Sequence, residues 1–254
     1  MPPAKELQEA HDAFSVPDKL IVHGGVFHAD DVLTAAVLRE LNPDLTVERA
    51  FKVPEDRENN TIIADIGGGR FDHHKKDKEL REDGNPYAAI GLVLRDFDDR
   101  IFPDGVSEQL QNDIQRIEDA DNGIGSSDFH VISNLVHYMN PTWDSKENPN
   151  QAFENVVHFV QDNYIEPYME KGYLTEKEQE LLDKKCEELE QIYEESKEKA
   201  KNIVVDAMNH IPEGVANGVV VLPQYAPWND VICEDPDAKF VIKNLKPPGL
   251  PGGK

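Results

Sequence analysis

Residues 23–31, His-Gly-Gly-Val-Phe-His-Ala-Asp-Asp, constrain the fold of this chain more than any other stretch. They follow a short apolar run, residues 20–22, and precede a helical pattern that ends at Leu41. A β-branched strand, a glycine-containing turn and a helix in this order are typical of an α/β sheet, with the turn at the carboxyl end of the strand. Two imidazoles and two carboxylates lie in this turn, so the sequence predicts a functional site there.

Two more polar clusters follow predicted strands. Asp65 ends the apolar run 61–64 and precedes three glycines, and Asp72-His73-His74 follows a short extended piece. The carboxyl ends of parallel strands share one edge of a sheet, so these side chains should converge. Taken singly, each cluster has a structural alternative: a helix cap, the end of a strand, or a surface histidine pair.

The converging side chains predict a metal site. Imidazole and carboxylate without thiolate suit Mn²⁺ first, and Mg²⁺, Fe²⁺ or Zn²⁺ less well. About six ligand groups are enough for two ions that share a carboxylate. Two such ions activate a bridging water and hold the oxygens of an in-line phosphoryl displacement. The sequence therefore favours a metal-dependent phosphoesterase.

The alternation of strands and helices predicts an α/β fold with a doubly wound, mostly parallel sheet over residues 19–140. A polar segment rich in asparagine and proline, residues 140–150, marks the predicted boundary. We expect a second, smaller α+β domain over residues 141–246, with a long helix that begins at the capping box Thr175-Glu176-Lys177-Glu178. Residues 1–18 read as a flexible leader and residues 247–254 as a disordered tail.

The composition narrows the class of partner. The chain has 50 acidic and 26 basic residues, a formal net charge of -24, which opposes tight nonspecific binding to duplex DNA or anionic membrane. Cys186 and Cys233 lack metal-ligand spacing, so we expect no disulfide framework. We see no signal peptide and no apolar run long enough to span a membrane, and we expect a soluble, cytoplasmic protein. A homo-oligomer stays open.

At this point the sequence resembles a known family. His23-xxxx-His28-Ala-Asp30-Asp31, Asp65-Ile-Gly67-Gly68, Asp72-His73-His74 and Asp121-Asn122-Gly123 look like successive motifs of the DHH phosphoesterase superfamily. More narrowly, they resemble its melanocyte-proliferating-gene branch of metal-dependent hydrolases. The resemblance spans about residues 19–243. The segment Asn85-Pro86-Tyr87-Ala88-Ala89, at the start of a buried helix that we predict over Tyr87 to Phe97, lacks the serines usual in the family.

The resemblance implies a role for each motif residue. One metal would be held by His23, His28 and Asp65, and a second by Asp30, Asp65, His73 and Asp121, with Asp65 bridging. His74 would face the substrate phosphate, and Asp72 would orient an imidazole. We interpret Asp31 as a helix cap that could also act in the outer shell of the metal site. From their positions near the Asp-His-His motif, Arg70, Lys75 and Lys76 are candidates for holding a phosphate, with a solvated loop as the alternative.

The family is associated with 3′-to-5′ exonuclease action on RNA. Our leading hypothesis is therefore a manganese-dependent phosphodiesterase that removes nucleotides from short single-stranded RNA or DNA. A second hypothesis keeps the metals but takes a small substrate such as pyrophosphate, an oligonucleotide or a dinucleotide. A third is a non-catalytic protein in which the metal serves only stability.

Overall fold

The computed structural model describes residues 16–56, 60–125, 130–210, 219–234, 238 and 240–243. Its elements in chain order are β1 (Lys19–His23), α1 (Ala29–Leu41), β2 (Thr46–Ala50), β3 (Thr61–Ile63), α2 (Ala89–Ile101), α3 (Glu108–Asp121), α4 (Val131–Met139), α5 (Pro149–Val160), a π-helical turn (Gln161–Ile165), α6 (Glu166–Lys171), α7 (Glu176–His210), β4 (Val219–Leu222), α8 (Asn229–Ile232) and β5 (Phe240–Lys243). Most of the predicted leader and all of the predicted tail lie outside the described residues. No helix of the described residues has the length and apolar character needed to cross a membrane.

The chain forms two compact units. Among the described residues, the first unit contains those up to Asn140 together with Phe153–Cys186, and the second contains Pro141–Ala152 together with the residues from Glu187 onward. We had assigned all of residues 141–246 to a second domain. Residues 153–186 instead belong to the first unit, where the Phe153 ring packs edge-on against Phe27 with centroids 5.5 Å apart.

The first unit is built around a three-stranded parallel sheet in the order β2-β1-β3. The central strand β1 is buried because Leu20, Ile21 and Val22 are all apolar and at most 1% exposed. All three strands run in the same direction, so their carboxyl ends meet at one edge. The predicted α/β class is confirmed, and a doubly wound arrangement stays a prediction.

Helix α1 is the central helix of this unit, and it packs against β1, α2, α3 and α4. Val32, Leu33 and Leu38 on its apolar face are fully inaccessible, whereas Leu41 at its end is half-buried. The helix begins with a capping box in which the Asp31 carboxylate accepts the backbone N–H of His28 at 3.2 Å. Its first turn therefore lies at the same edge as the strand ends.

Two predicted elements differ from the structure at the candidate site. The buried helix, predicted from Tyr87, begins at Ala89 because side chains from other elements accept the N–H groups of residues 88–90. The third strand, predicted to reach Asp65, ends at Ile63. Asp65 has a φ of 56°, a left-handed conformation that a strand cannot contain.

The second unit has its own small core, which packs α7 against a two-stranded parallel sheet of β4 and β5. Trp143 and Trp228 border that core. The Trp143 indole donates to the carbonyl of Ser196 at 2.9 Å.

The predicted capping box at the start of α7 is present, because Glu178 accepts the backbone N–H of Thr175 at 2.8 Å.

Candidate metal centre

The turn between β1 and α1 is held from two sides. The N–H of Gly24 donates to the carbonyl of Ala50 at the end of β2, at 2.8 Å. The Asn140 side chain accepts the N–H of Phe27 at 3.0 Å and donates to the carbonyl of Phe27 at 2.9 Å. These bonds fix the backbone between His23 and His28.

His23, His28 and Asp31 form the first group of potential ligands, whose atoms lie within 4.8 Å of one another. The Nε2 atom of His23 lies 2.7 Å from Oδ2 of Asp31 and 3.2 Å from Oδ2 of Asp65. We had expected His23 and His28 to join Asp65 and had left Asp31 as a helix cap. Asp31 is a cap and is also completely buried beside both imidazoles.

Asp30, Asp65, His73 and Asp121 form the second group, again with ligand atoms within 4.8 Å of one another. The Nε2 atom of His73 lies 2.9 Å from Oδ1 of Asp65 and 3.0 Å from Oδ2 of Asp121. His28 connects the groups, since its Nδ1 atom lies 3.8 Å from Oδ1 of Asp121. The structure thus brings together the four side chains predicted for the second metal.

Asp65 is shared. Besides His23 and His73, it approaches His74, whose Nδ1 atom lies 3.2 Å from Oδ1 of Asp65. Asp65, His73 and His74 form a further group of potential ligands. The left-handed backbone at Asp65 turns the chain out of the strand at this point. One carboxylate oxygen of Asp65 therefore lies beside His23 and the other beside His73, which is the position that a bridging ligand would occupy.

The charges of the cluster are balanced by protons. Burial, reinforced by the carboxylates of Asp121, Asp65 and Asp31, raises the pKa of Asp30 well above its usual range. Burial by itself would lower the pKa of His73, but its close contacts with Asp121 and Asp65 raise that pKa to about 11. Burial acts in the same direction on His23, and contact with Asp31 raises its pKa to about 9. A bound cation would take the place of these protons.

The donor set fits a divalent cation. Among the described residues, Oδ1 of Asp31, Oδ1 of Asp65 and Nε2 of His73 are buried atoms that lack a hydrogen bond of good geometry. His73 and Asp65 approach to 2.9 Å all the same, so their lone pairs converge on one small space. Buried polar atoms without hydrogen bonds are costly, and a metal ion would satisfy them. Carboxylate oxygen and imidazole nitrogen are both common ligands of divalent metal ions.

Asp72 positions His74. Its Oδ1 atom accepts the backbone N–H of His74 at 2.9 Å and lies 3.1 Å from the Nδ1 atom of the same residue. Burial would raise the pKa of Asp72, but backbone hydrogen bonds from His74 and Gly68 lower it, so this carboxylate is ionised at neutral pH. The His74 ring is thereby held by Nδ1 at the rim of the cluster, with most of its surface exposed.

Four supporting contacts were not predicted. Both oxygens of Asp30 accept backbone N–H groups at the start of α2, from Ile90 at 2.7 Å and from Ala89 at 3.1 Å. Oδ1 of Asn122 lies 3.3 Å from Nδ1 of His73, and its amide group donates to the carbonyl of Tyr87 at 3.2 Å. Asn122 lies in the Asp-Asn-Gly motif, which was a usable signal; no sequence pattern connects Asp30 with residues 89 and 90.

Two of the three predicted phosphate-binding cations contact a carboxylate of the protein. Arg70 forms an ion pair with the buried carboxylate of Asp96, and the ammonium group of Lys75 lies 3.6 Å from Glu79. Lys76 is exposed. A phosphate-binding role for the three stays a prediction.

The parallel sheet and the groups of ligands together define an α/β protein with a candidate metal centre. Residues 19–245 match a family model named for the MYG1 exonuclease and described as an uncharacterised protein family (UPF0160), and the chain belongs to this family.

The relatives that carry this name are distant. The chain is 24% identical to the MYG1 exonuclease of Homo sapiens over 204 residues, which are 65% of this chain and 53% of the human protein. It is 26% identical to that of Mus musculus over 202 residues, or 65% and 52% of the two chains. A MYG1 protein of Saccharomyces cerevisiae is 21% identical over 269 residues, 90% of this chain and 73% of the yeast protein. The chain spans about half the length of the mammalian relatives. No solved structure matches it significantly.

Proposed function

We propose that this protein is a metal-dependent phosphodiesterase, and specifically a manganese-dependent 3′-to-5′ exonuclease on short single-stranded RNA or DNA. One observation carries the proposal: Asp65 belongs to two groups of ligands and also contacts His23 of the third. The name of the mammalian relatives, MYG1 exonuclease, supports the choice of a nuclease. We also propose that the chain belongs to the DHH phosphoesterase superfamily, and the four sequence motifs support this.

The roles we propose follow the two groups. His23, His28 and Asp65 would hold one ion, and Asp31, which is grouped with the two imidazoles, would add a carboxylate that lies 2.7 Å from His23. The second ion is held by the group that contains Asp30, Asp65, His73 and Asp121. When bound, the two ions supply an activated water and neutralise the charge that develops on the phosphate.

The chain's own residues then bind and orient the substrate. Asp72 remains ionised and holds the Nδ1 side of His74, so the Nε2 side of that ring is available to a phosphate oxygen at the rim. Burial of Asp30, Asp65 and His73, each at most 5% exposed, keeps water away from the ligand side of the cluster. Lys76, and Arg70 after exchange of its partner, contribute positive charge.

The test is nucleotide release from a single-stranded RNA labelled at its 5′ end, with Mn²⁺ present. The wild-type protein should shorten the label stepwise, and Asp65→Asn should lower kcat by at least about 100-fold because it removes the shared ligand. Asp44→Asn, an exposed carboxylate on a loop, is the matched control. Equal activity of wild type and Asp65→Asn would refute the proposal.

A second candidate is hydrolysis of a small phosphate compound such as pyrophosphate or a dinucleotide. The net charge of -24 favours it, since it repels a polyanion at long range. Two of the three candidate cations are also held by carboxylates. Turnover of a ten-nucleotide RNA compared with that of a dinucleotide and of pyrophosphate separates the candidates, and a preference for the RNA in kcat/KM favours the exonuclease.

A further inference from the structure

An apolar cavity of about 600 Å³ opens beside the candidate metal centre, at the carboxyl ends of β2 and β3. Its apolar wall includes Phe51, Val53, Ile63 and Ile66, and Lys52 and Glu55 also line it. This volume lies in the range of small-molecule sites, which are mainly apolar with a few polar groups. None of the proposed metal ligands lines it.

The cavity shares its loops with the metal centre. Ile66 directly follows Asp65, the shared carboxylate. Phe51 directly follows Ala50, whose carbonyl holds the N–H of Gly24, the residue after His23. A Cβ atom at Gly24 would lie only 3.4 Å from the Phe51 ring, so the ring lies directly over the turn. A ligand in the cavity would therefore lie beside two of the loops that carry the candidate metal ligands.

The Phe51 ring is 66% exposed although it belongs to a cavity wall. A single exposed apolar residue is ordinary on a protein surface. Here the ring is flat and rests against a glycine turn on one side, which leaves its other face accessible. Such a ring is a stacking platform, because every nucleobase has a π-face and stacks on aromatic side chains without regard to sequence.

The opposite side of the cavity is shaped by Gly67. This residue has a φ of +85°, and a Cβ atom there would lie 2.3 Å from Cγ2 of Val53. Glycine therefore lets the loop after Asp65 close onto the segment after Phe51. The closure brings the apolar wall and the ligand-bearing loop together in one small region.

We propose that this cavity binds the base of the substrate's terminal nucleotide, which stacks on Phe51 while the adjacent phosphate lies at the metal centre. The proposal rests on the proposed function, because it takes the substrate to be a nucleotide. A phosphate or a sugar alone would gain little from contact with an apolar wall. A base packs against that wall through its flat face and presents its polar edges to Lys52 and Glu55. Selection among the bases is weak, since stacking rather than a set of buried hydrogen bonds provides the contact.

The first test is equilibrium binding, measured by calorimetry with Mn²⁺ present, of adenosine 5′-monophosphate and of ribose 5-phosphate. Phe51→Ala should weaken binding of the nucleotide by roughly 5- to 150-fold, the range for loss of one stacked base, and leave ribose 5-phosphate unchanged. Phe51→Trp should retain nucleotide binding. Tyr173→Ala, which removes another aromatic ring that is 52% exposed, is the matched control.

The second test is kinetic and uses RNA whose 3′-terminal nucleotide is intact or abasic. Phe51→Ala should raise KM for the intact RNA with little change in kcat, and it should not affect the abasic RNA. Equal KM values for wild type and Phe51→Ala on the intact RNA would overturn the proposal, as would equal affinities of wild type for the nucleotide and for ribose 5-phosphate.

The two proposals can fail separately. If wild type hydrolyses no phosphodiester but binds the nucleotide in a manner that depends on Phe51, the exonuclease proposal fails and the base site stands. If wild type shortens RNA and Asp65→Asn does not, while Phe51→Ala behaves as wild type in both tests, the metal centre stands and the base site is refuted.

Discussion

Replacement of Asp65 by asparagine is the sharpest test of the shared ligand, because its effect can be read from stability as well as from activity. Asp65 has a φ of 56°, and asparagine is one of the few residues that tolerate this conformation, whereas alanine would add backbone strain. Asp65→Asn keeps the shape of the side chain and removes only its charge and one acceptor. The variant should therefore fold, and its response to Mn²⁺ should change.

The magnitude follows from ligand linkage. At a Mn²⁺ concentration about 100 times the dissociation constant, wild type gains about 2.7 kcal/mol. For a domain of about 150–250 residues this raises Tm by roughly 5–11 °C. If loss of the shared carboxylate weakens binding about 100-fold, the same concentration stabilises the variant by only about 0.4 kcal/mol, a rise of about 1–2 °C.

The assay is thermal unfolding with and without Mn²⁺, at one metal concentration for all variants. Each protein is compared with its own metal-free form, so any effect of the substitution on the apoprotein cancels. Asp44→Asn should show the full wild-type increase in Tm. An increase in Asp65→Asn equal to that of wild type would refute the assignment of Asp65 as a shared ligand.

Two further predictions concern the packing around the site. Burial would raise the pKa of Asp113, but hydrogen bonds from one imidazole and two phenols lower it. The stability that Asp113 contributes is therefore present above the unfolded-state pKa and is lost as pH falls through the folded-state value. Asp113→Asn should cost about 1–3 kcal/mol of unfolding free energy at neutral pH and progressively less in acid, measured by urea unfolding, and a cost independent of pH would contradict this. A Cβ atom at Gly91 would lie 1.8 Å from Oε1 of buried Glu118. Gly91→Ala should therefore destabilise the protein by about 1–3 kcal/mol in the same assay, despite the better helix propensity of alanine. A variant more stable than wild type would contradict this prediction.

Much of the local structure could be predicted from the sequence. The apolar run of β1, the helical pattern of α1 and the capping box at Thr175 depend on residues close together in the chain, and the structure confirms all three. The convergence of Asp65 and His73 was also predictable, because parallel strands bring their carboxyl ends to one edge. Asp121 lies at the end of α3, and only the family resemblance implied its place in the site. Their roles in catalysis stay predictions.

The sequence by itself determined which residue types reach this edge, because the spacing of apolar and polar residues sets each strand, turn and helix locally. Only the tertiary structure decided how they are shared: that Asp31 joins His23, that Asp30 binds the start of α2, and that Phe51 lies over the glycine turn. These contacts join residues that no local pattern connects or orients. They depend on the side-chain directions and backbone angles that packing selects, such as the left-handed turn at Asp65.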